Sequence, residues 1–161
     1  AMEVGVPALA VARDVPAATG VLVAALSLGG VAGAAAYGAR RWRAAAETRL
    51  VVLMLALGVV LAPLVLIGPL PAFWAMLCCA GMLLNPPLTT ASLLVDEYAP
   101  GARAEAFGWL STAITVGGAA GSALAGVVGE RWFTTAPFLA AAGFALLGGG
   151  VAAILVRRGR P

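Results

Sequence analysis

Lysine and histidine are absent from this chain of 161 residues, cysteine occurs only twice, and charged residues make up 11% of the total. Without histidine there is no imidazole base, no histidine-containing metal cluster and no Cys-His nucleophile. The two cysteines are adjacent, Cys78-Cys79, inside an apolar run, so they build no disulfide framework. Read plainly, they are small residues facing lipid or other helices. The formal net charge of +3 comes from arginine alone. In a soluble protein a basic balance could point to nucleic acid. Here the arginines sit at the ends of apolar runs, so orientation explains them better. No nucleic-acid partner, metal or cofactor is expected.

What the chain has instead is long uncharged sequence. Residues 15–39, 50–95, 106–129 and 132–156 contain no Asp, Glu or Arg, and every charge falls between or beside these runs. With 62% apolar residues and a mean hydropathy of +1.01, the composition lies far from the soluble average of about 25% charged residues. A soluble helical bundle would show a polar face on each helix, whereas these runs are apolar on nearly every face.

A hydrocarbon core about 30 Å thick is crossed by roughly 20 apolar helical residues. Three of the runs, of 24 or 25 residues, each span once. The fourth, of 46 residues, is interrupted near its middle by Gly68-Pro69-Leu70-Pro71 and reads as two spans joined by a tight turn. The expected fold is all-α, a polytopic transmembrane bundle of five complete spans at about 16–39, 50–67, 72–95, 104–128 and 133–156. Residues 1–12 are apolar, carry Glu3 and are too short to span. They are expected to be the end of a truncated transmembrane helix, which would make the chain a fragment.

Short-loop basic residues collect on the cytoplasmic side. Arg40, Arg41, Arg43 and Arg49 stand between the first two spans, and Arg157, Arg158 and Arg160 follow the last. Both groups lie on one side, together with the 96–103 loop and its Arg103. The other side has Arg13, the uncharged 68–71 turn, and Arg131 next to Glu130. The C-terminus is therefore expected in the cytoplasm.

Small and polar residues are unevenly spread. Gly29 and Gly33 form a GxxxG in the first span, with Gly30, Ala34 and Gly38 beside it. In the fourth span Gly117 and Gly121 form another, flanked by Gly118, Ser122 and Gly126. Such faces let a second helix approach closely, and both are candidate helix interfaces. The second and fifth spans lack polar side chains over 50–67 and 136–156 and read as lipid-facing or peripheral.

The third span is the polar one. Asn85, Thr89 and Ser92, spaced i, i+4 and i+7, share a face that Cys78 extends, and Pro86-Pro87 interrupts the helix beside them. The prolines release the carbonyls of Met82 and Leu83 from helical pairing. An amide near mid-membrane is costly unless it meets protein or water. These six residues, Cys78, Asn85, Pro86, Pro87, Thr89 and Ser92, are the candidate wall of a substrate cavity. The alternative is that Asn85 only satisfies a neighbouring helix or the backbone freed by the prolines. No span carries an ionisable group in its interior, so this segment has no proton relay or charged clamp. It also has no Ser/His, paired-Asp or metal-ligand set for catalysis, and an enzyme is not expected.

Two stretches carry a resemblance to a known family. The first runs from Gly20-Val21-Leu22 through Ser27-Leu28-Gly29-Gly30 to Tyr37-Gly38-Ala39-Arg40-Arg41. The second is the 96–103 loop from Asp96 to Arg103, with Glu105-Ala106-Phe107-Gly108-Trp109 and the glycine-rich 117–129 stretch after it. Together they resemble helix eight with its basic loop, and the passage from helix ten to helix eleven, in the C-terminal half of a major facilitator superfamily transporter of the bacterial drug or sugar efflux type. Tyr37 stands where that family's loop motif has an aspartate. The resemblance implies that residues 1–12 end helix seven and that the five spans are helices eight to twelve, in a bacterial inner membrane. It further implies that helices seven and ten line a central cavity and that eight and eleven contact the other half. Nine and twelve would support from outside, and transport would follow alternating access.

Two readings of function follow. One is a secondary transporter that exports a neutral or amphipathic small molecule, with the missing N-terminal half and the lipid bilayer as partners. The other is a noncatalytic membrane subunit or scaffold that assembles through its glycine faces.

Overall fold

The computed structural model describes residues 18–65, 70–131 and 136–158. Among these every regular element is helical: α1 (Ala18–Ala39), α2 (Ala46–Leu61) extended by a 3-10 turn (Ala62–Val65), α3 (Leu70–Tyr98), α4 (Arg103–Arg131) and α5 (Ala136–Arg158). Four stretches are long and apolar enough to cross a membrane: Ala46–Leu64, Ala72–Tyr98, Arg103–Val127 and Phe138–Arg157. In α1 the apolar stretch is shorter, Val23–Ala39. The helix end expected at 1–12, Gly68 and Pro69 of the expected turn, and Arg13 and Arg160 lie outside the described residues.

The helices run past the charge-free segments into charged sequence. Glu47 and Arg49 lie in the first turns of α2, Asp96 and Glu97 in the last turn of α3, and Arg103 and Glu105 in the first turn of α4. Lack of charge marks the hydrocarbon depth, whereas a helix continues until its backbone is diverted. Glu47 also suits the positive end of the α2 dipole. Pro71 belongs to the first turn of α3, where its missing N–H is of no consequence. Pro63 lacks the donor for one α-helical bond, and the chain tightens there into the 3-10 turn.

Apolar packing centres on α2, α3 and α5. Leu57, Leu61, Leu64, Phe73, Leu77, Ala80, Phe138, Ala142 and Ala145 form one buried cluster. At its centre the Phe73 and Phe138 rings meet edge to face, with centroids 5.7 Å apart and an interplanar angle of 77°. The two spans without polar side chains therefore supply much of the core. Their opposite faces, including Val52 and Val59 on α2 and Leu147, Val151 and Leu155 on α5, are exposed. Apolarity identified these helices as surrounded by apolar matter but could not separate lipid from protein.

Helix α1 packs along α3, while α4 rests mainly on α5. Large apolar side chains on outer faces are far more exposed than water would tolerate, with Leu28, Val31 and Leu147 each close to 70% accessible. Such a surface is suited to lipid. The molecule is an all-helical bundle of apolar helices, as a membrane-embedded chain requires.

Candidate functional site: the polar faces of helix α3

Helix α3 continues through Pro86 and Pro87. The space around those prolines is shaped by glycine on the facing helix. A Cβ added to Gly29 would collide with the Cys78 carbonyl, and one added to Gly33 would collide with the Met82 carbonyl. On the other side, a Cβ on Gly81 would strike the Leu26 carbonyl. The α1 and α3 backbones thus approach closely along one seam. Met82 is four residues before Pro86, so its carbonyl is one that proline releases. Gly33 lies directly against it, and contacts of the Cα–H to carbonyl type partly compensate the lost bond.

Asn85 sits on the same seam. Its Nδ2 donates to the Gly30 carbonyl at 3.0 Å, and a Cβ on Gly30 would come within 2.9 Å of that nitrogen. The amide is tied to α1 at one end, yet the residue as a whole is exposed. Thr89 is exposed as well and donates to the Asn85 carbonyl at 3.3 Å. Ser92 and Cys78 are half-buried, and Ser92 donates to the Leu88 carbonyl at 3.0 Å. Pro86 and Pro87 are buried. The candidate cavity wall therefore divides into a buried proline pair and a stripe whose hydroxyls are turned onto their own helix, leaving Asn85 as its cross-helix polar contact.

A second polar arrangement lies on another face of α3. Thr90 is completely buried and Tyr37 nearly so, at 7% exposure. Their hydroxyl oxygens are 2.6 Å apart. Arg49 Nη1 lies 3.0 Å from the Tyr37 hydroxyl, and Thr90 lies 2.7 Å from the Pro86 carbonyl. Hydrogen inventory sets the direction of the chain. Arginine only donates, so the Tyr37 oxygen accepts from it. Carbonyls only accept, so Thr90 spends its hydrogen on Pro86. Tyr37 therefore donates to Thr90, and the relay Arg49 to Tyr37 to Thr90 to Pro86 is satisfied at each step.

Around that relay the 40–49 segment is folded onto the end of α1. The Tyr37 and Trp42 rings stack with centroids 4.9 Å apart, and Trp42 Nε1 donates to the Tyr37 carbonyl at 3.0 Å. The Arg40 guanidinium lies 4.8 Å from the Trp42 ring centroid, in cation–π range. Nearby, the Tyr98 hydroxyl at the end of α3 donates to Glu47.

No protein-family model, curated protein or solved structure matches this chain. Function is therefore argued from its own residues.

The remaining candidates fall elsewhere. On α4, Gly117, Gly118 and Gly126 face open space, Ser122 is half-buried and Gly121 is buried. Gly38 at the end of α1 is also open. Arg41 and Arg43 are exposed on the α1–α2 loop. Arg103 pairs with Asp96 across the α3–α4 turn at 3.4 Å, with both side chains more than half exposed. Such a pair contributes about 1 kcal/mol or less.

Sequence reasoning passed over Tyr37, Trp42, Arg49 and Thr90 as a unit, although each was visible. Tyr37 is the single aromatic residue of α1, and Thr90 follows Pro86 by one helical turn. Those signals indicate a tethered end, but the partners are 12 and 53 residues away. Gly58 was likewise not singled out: it lies under Leu146 at the α2–α5 contact without any repeat to mark it.

Proposed function

We propose that this chain is the C-terminal half of a secondary transporter and exports a neutral or amphipathic small molecule by alternating access. In that reading five helices cross the membrane, the C-terminus is cytoplasmic, and α3 lines the substrate path. The observation that carries it is the exposed Asn85–Thr89 stripe beside two helix prolines, in a helix otherwise apolar enough to lie in lipid. Exposed amide and hydroxyl groups at that depth need water, substrate or another helix. Their lack of charge fits a neutral ligand, and the coupling chemistry would belong to the other half.

Asn85→Leu in the full-length transporter tests this. Efflux of the substrate should change while membrane insertion is preserved, and unchanged efflux would remove Asn85 from the path. A reporter fused to the C-terminus should be active only in its cytoplasmic form.

One observation favours a second reading, a noncatalytic membrane subunit or scaffold. The glycine face of α4 is open: nearly all of α4 is exposed, and Gly117 and Gly118 meet nothing. A transporter would cover this face with its N-terminal half, a subunit with another protein. Crosslinking from a cysteine placed at Gly118 separates the two by the identity of the captured helix.

A further inference from the structure

Among the described residues, Arg49 is a cation held at the edge of the apolar zone without a countercharge. It directly precedes the charge-free run that begins at Leu50. Its Nη1 is engaged by Tyr37, while its Nε is buried with no hydrogen-bond partner. No carboxylate among the described residues pairs with it, and Glu47, two positions earlier, is engaged by Tyr98. In a guanidinium, Nε and Nη2 form one edge, the edge that binds a phosphate or carboxylate through two parallel bonds. Tyr37 occupies the far nitrogen and leaves that edge unused.

Beside Arg49 lies a cavity of about 180 Å³. Its lining combines Arg49 and Thr48 with the Tyr37 and Trp42 rings and the apolar Val52 and Leu53. Arg40, Arg41 and Arg43 stand on the loop leading to it, none of them paired with a carboxylate among the described residues. Cationic, aromatic and apolar groups thus meet in the order in which a lipid passes from headgroup to acyl chain.

We propose that this cavity binds an anionic phospholipid, its phosphate on the Nε–Nη2 edge of Arg49 and an acyl chain running past Val52 along α2. A phosphate supplies the acceptor that the buried Nε lacks. The unpaired loop arginines raise the local concentration of anionic lipid at the surface. A free phosphate would satisfy Arg49 but has no use for the apolar wall. The inference rests on membrane embedding and stands apart from any transport activity.

The test uses the purified full chain in neutral detergent, titrated with phosphatidylglycerol or phosphatidylcholine and read by native mass spectrometry. The wild type should hold phosphatidylglycerol about tenfold more tightly than phosphatidylcholine, the worth of one charge-assisted contact. Arg49→Gln should abolish that preference. Because this variant also breaks the bond to Tyr37, Val52→Trp is the companion: it fills the cavity from an exposed position and should abolish the preference with helix content unchanged. Equal binding of the two lipids by the wild type would overturn the proposal, as would a carboxylate from elsewhere in the chain on Arg49, which gives that same result. Preference retained in both variants would overturn it too. Displacement of phosphatidylglycerol by millimolar inorganic phosphate would reassign the cavity to a small free anion.

Discussion

Helices α1 and α4 carry the same sequence device, a GxxxG flanked by further small residues, and the fold treats them differently. On α1 the glycines are spent inside the chain. Gly29 and Gly33 admit the α3 backbone so closely that no side chain would fit. On α4, Gly117 and Gly118 face nothing and only Gly121 of that pair is buried. A small-residue face records that close approach is permitted, not which helix makes use of it. The seam on α1 is used because α3 offers the complementary feature: a carbonyl at Met82, released by Pro86, that gains from Gly33 lying against it.

This contrast yields a graded set of expected effects. Gly33→Leu should be the most damaging, about 3 kcal/mol or more, because the obstruction is a backbone carbonyl that cannot rotate away. Unfolding by SDS titration in mixed micelles would measure it, and a loss no greater than that of Gly117→Leu would dissolve the distinction between the two helices. Next comes Tyr37→Phe, which strips Arg49 of its acceptor and should cost about 1.5 kcal/mol. Combined with Thr90→Val it should fall short of additivity by at least about 0.5 kcal/mol, since both changes break one relay; strict additivity would show the hydroxyls to be independent. Asn85→Leu removes a single cross-helix bond to Gly30, and about 1 kcal/mol is expected from bonds of this kind in membrane proteins. Gly117→Leu should lie within about 0.5 kcal/mol of wild type for the chain alone. If α4 is covered in the assembled protein, the same change should instead weaken assembly, visible as a shift in size-exclusion elution of the complex.

Much of the architecture was legible before any coordinates. The uncharged runs located the helices because hydrocarbon excludes charge regardless of what packs where. Their ends were less legible: α2 begins at Ala46 and α3 extends to Tyr98, since headgroups and water solvate the charges in those terminal turns. Within α3, the Asn85, Thr89 and Ser92 stripe followed directly from helical spacing. Thr90, one position from Thr89, turned out to be the buried member. Spacing alone treats the two threonines alike; the presence of Tyr37 on one side of the helix separates them. The same limit applied to α2 and α5, where uniformly apolar sequence was compatible with lipid on every side and the Phe73–Phe138 contact shows otherwise.

Residue order, then, was enough to place the chain in an apolar medium, to divide it into helices, and to mark α3 as the helix carrying polar groups there. These properties depend on one-dimensional quantities: the hydropathy of each run, the 3.6-residue period and the positions of proline. Which glycine face is filled, which hydroxyl is buried and where Arg49 sends its hydrogens depended on the tertiary structure. Those outcomes turn on partners up to 55 residues apart, such as Asn85 and Gly30. Hydrogen bonds of about 3 Å and backbone contacts at van der Waals distance are decided only when two helices have taken a definite register against each other.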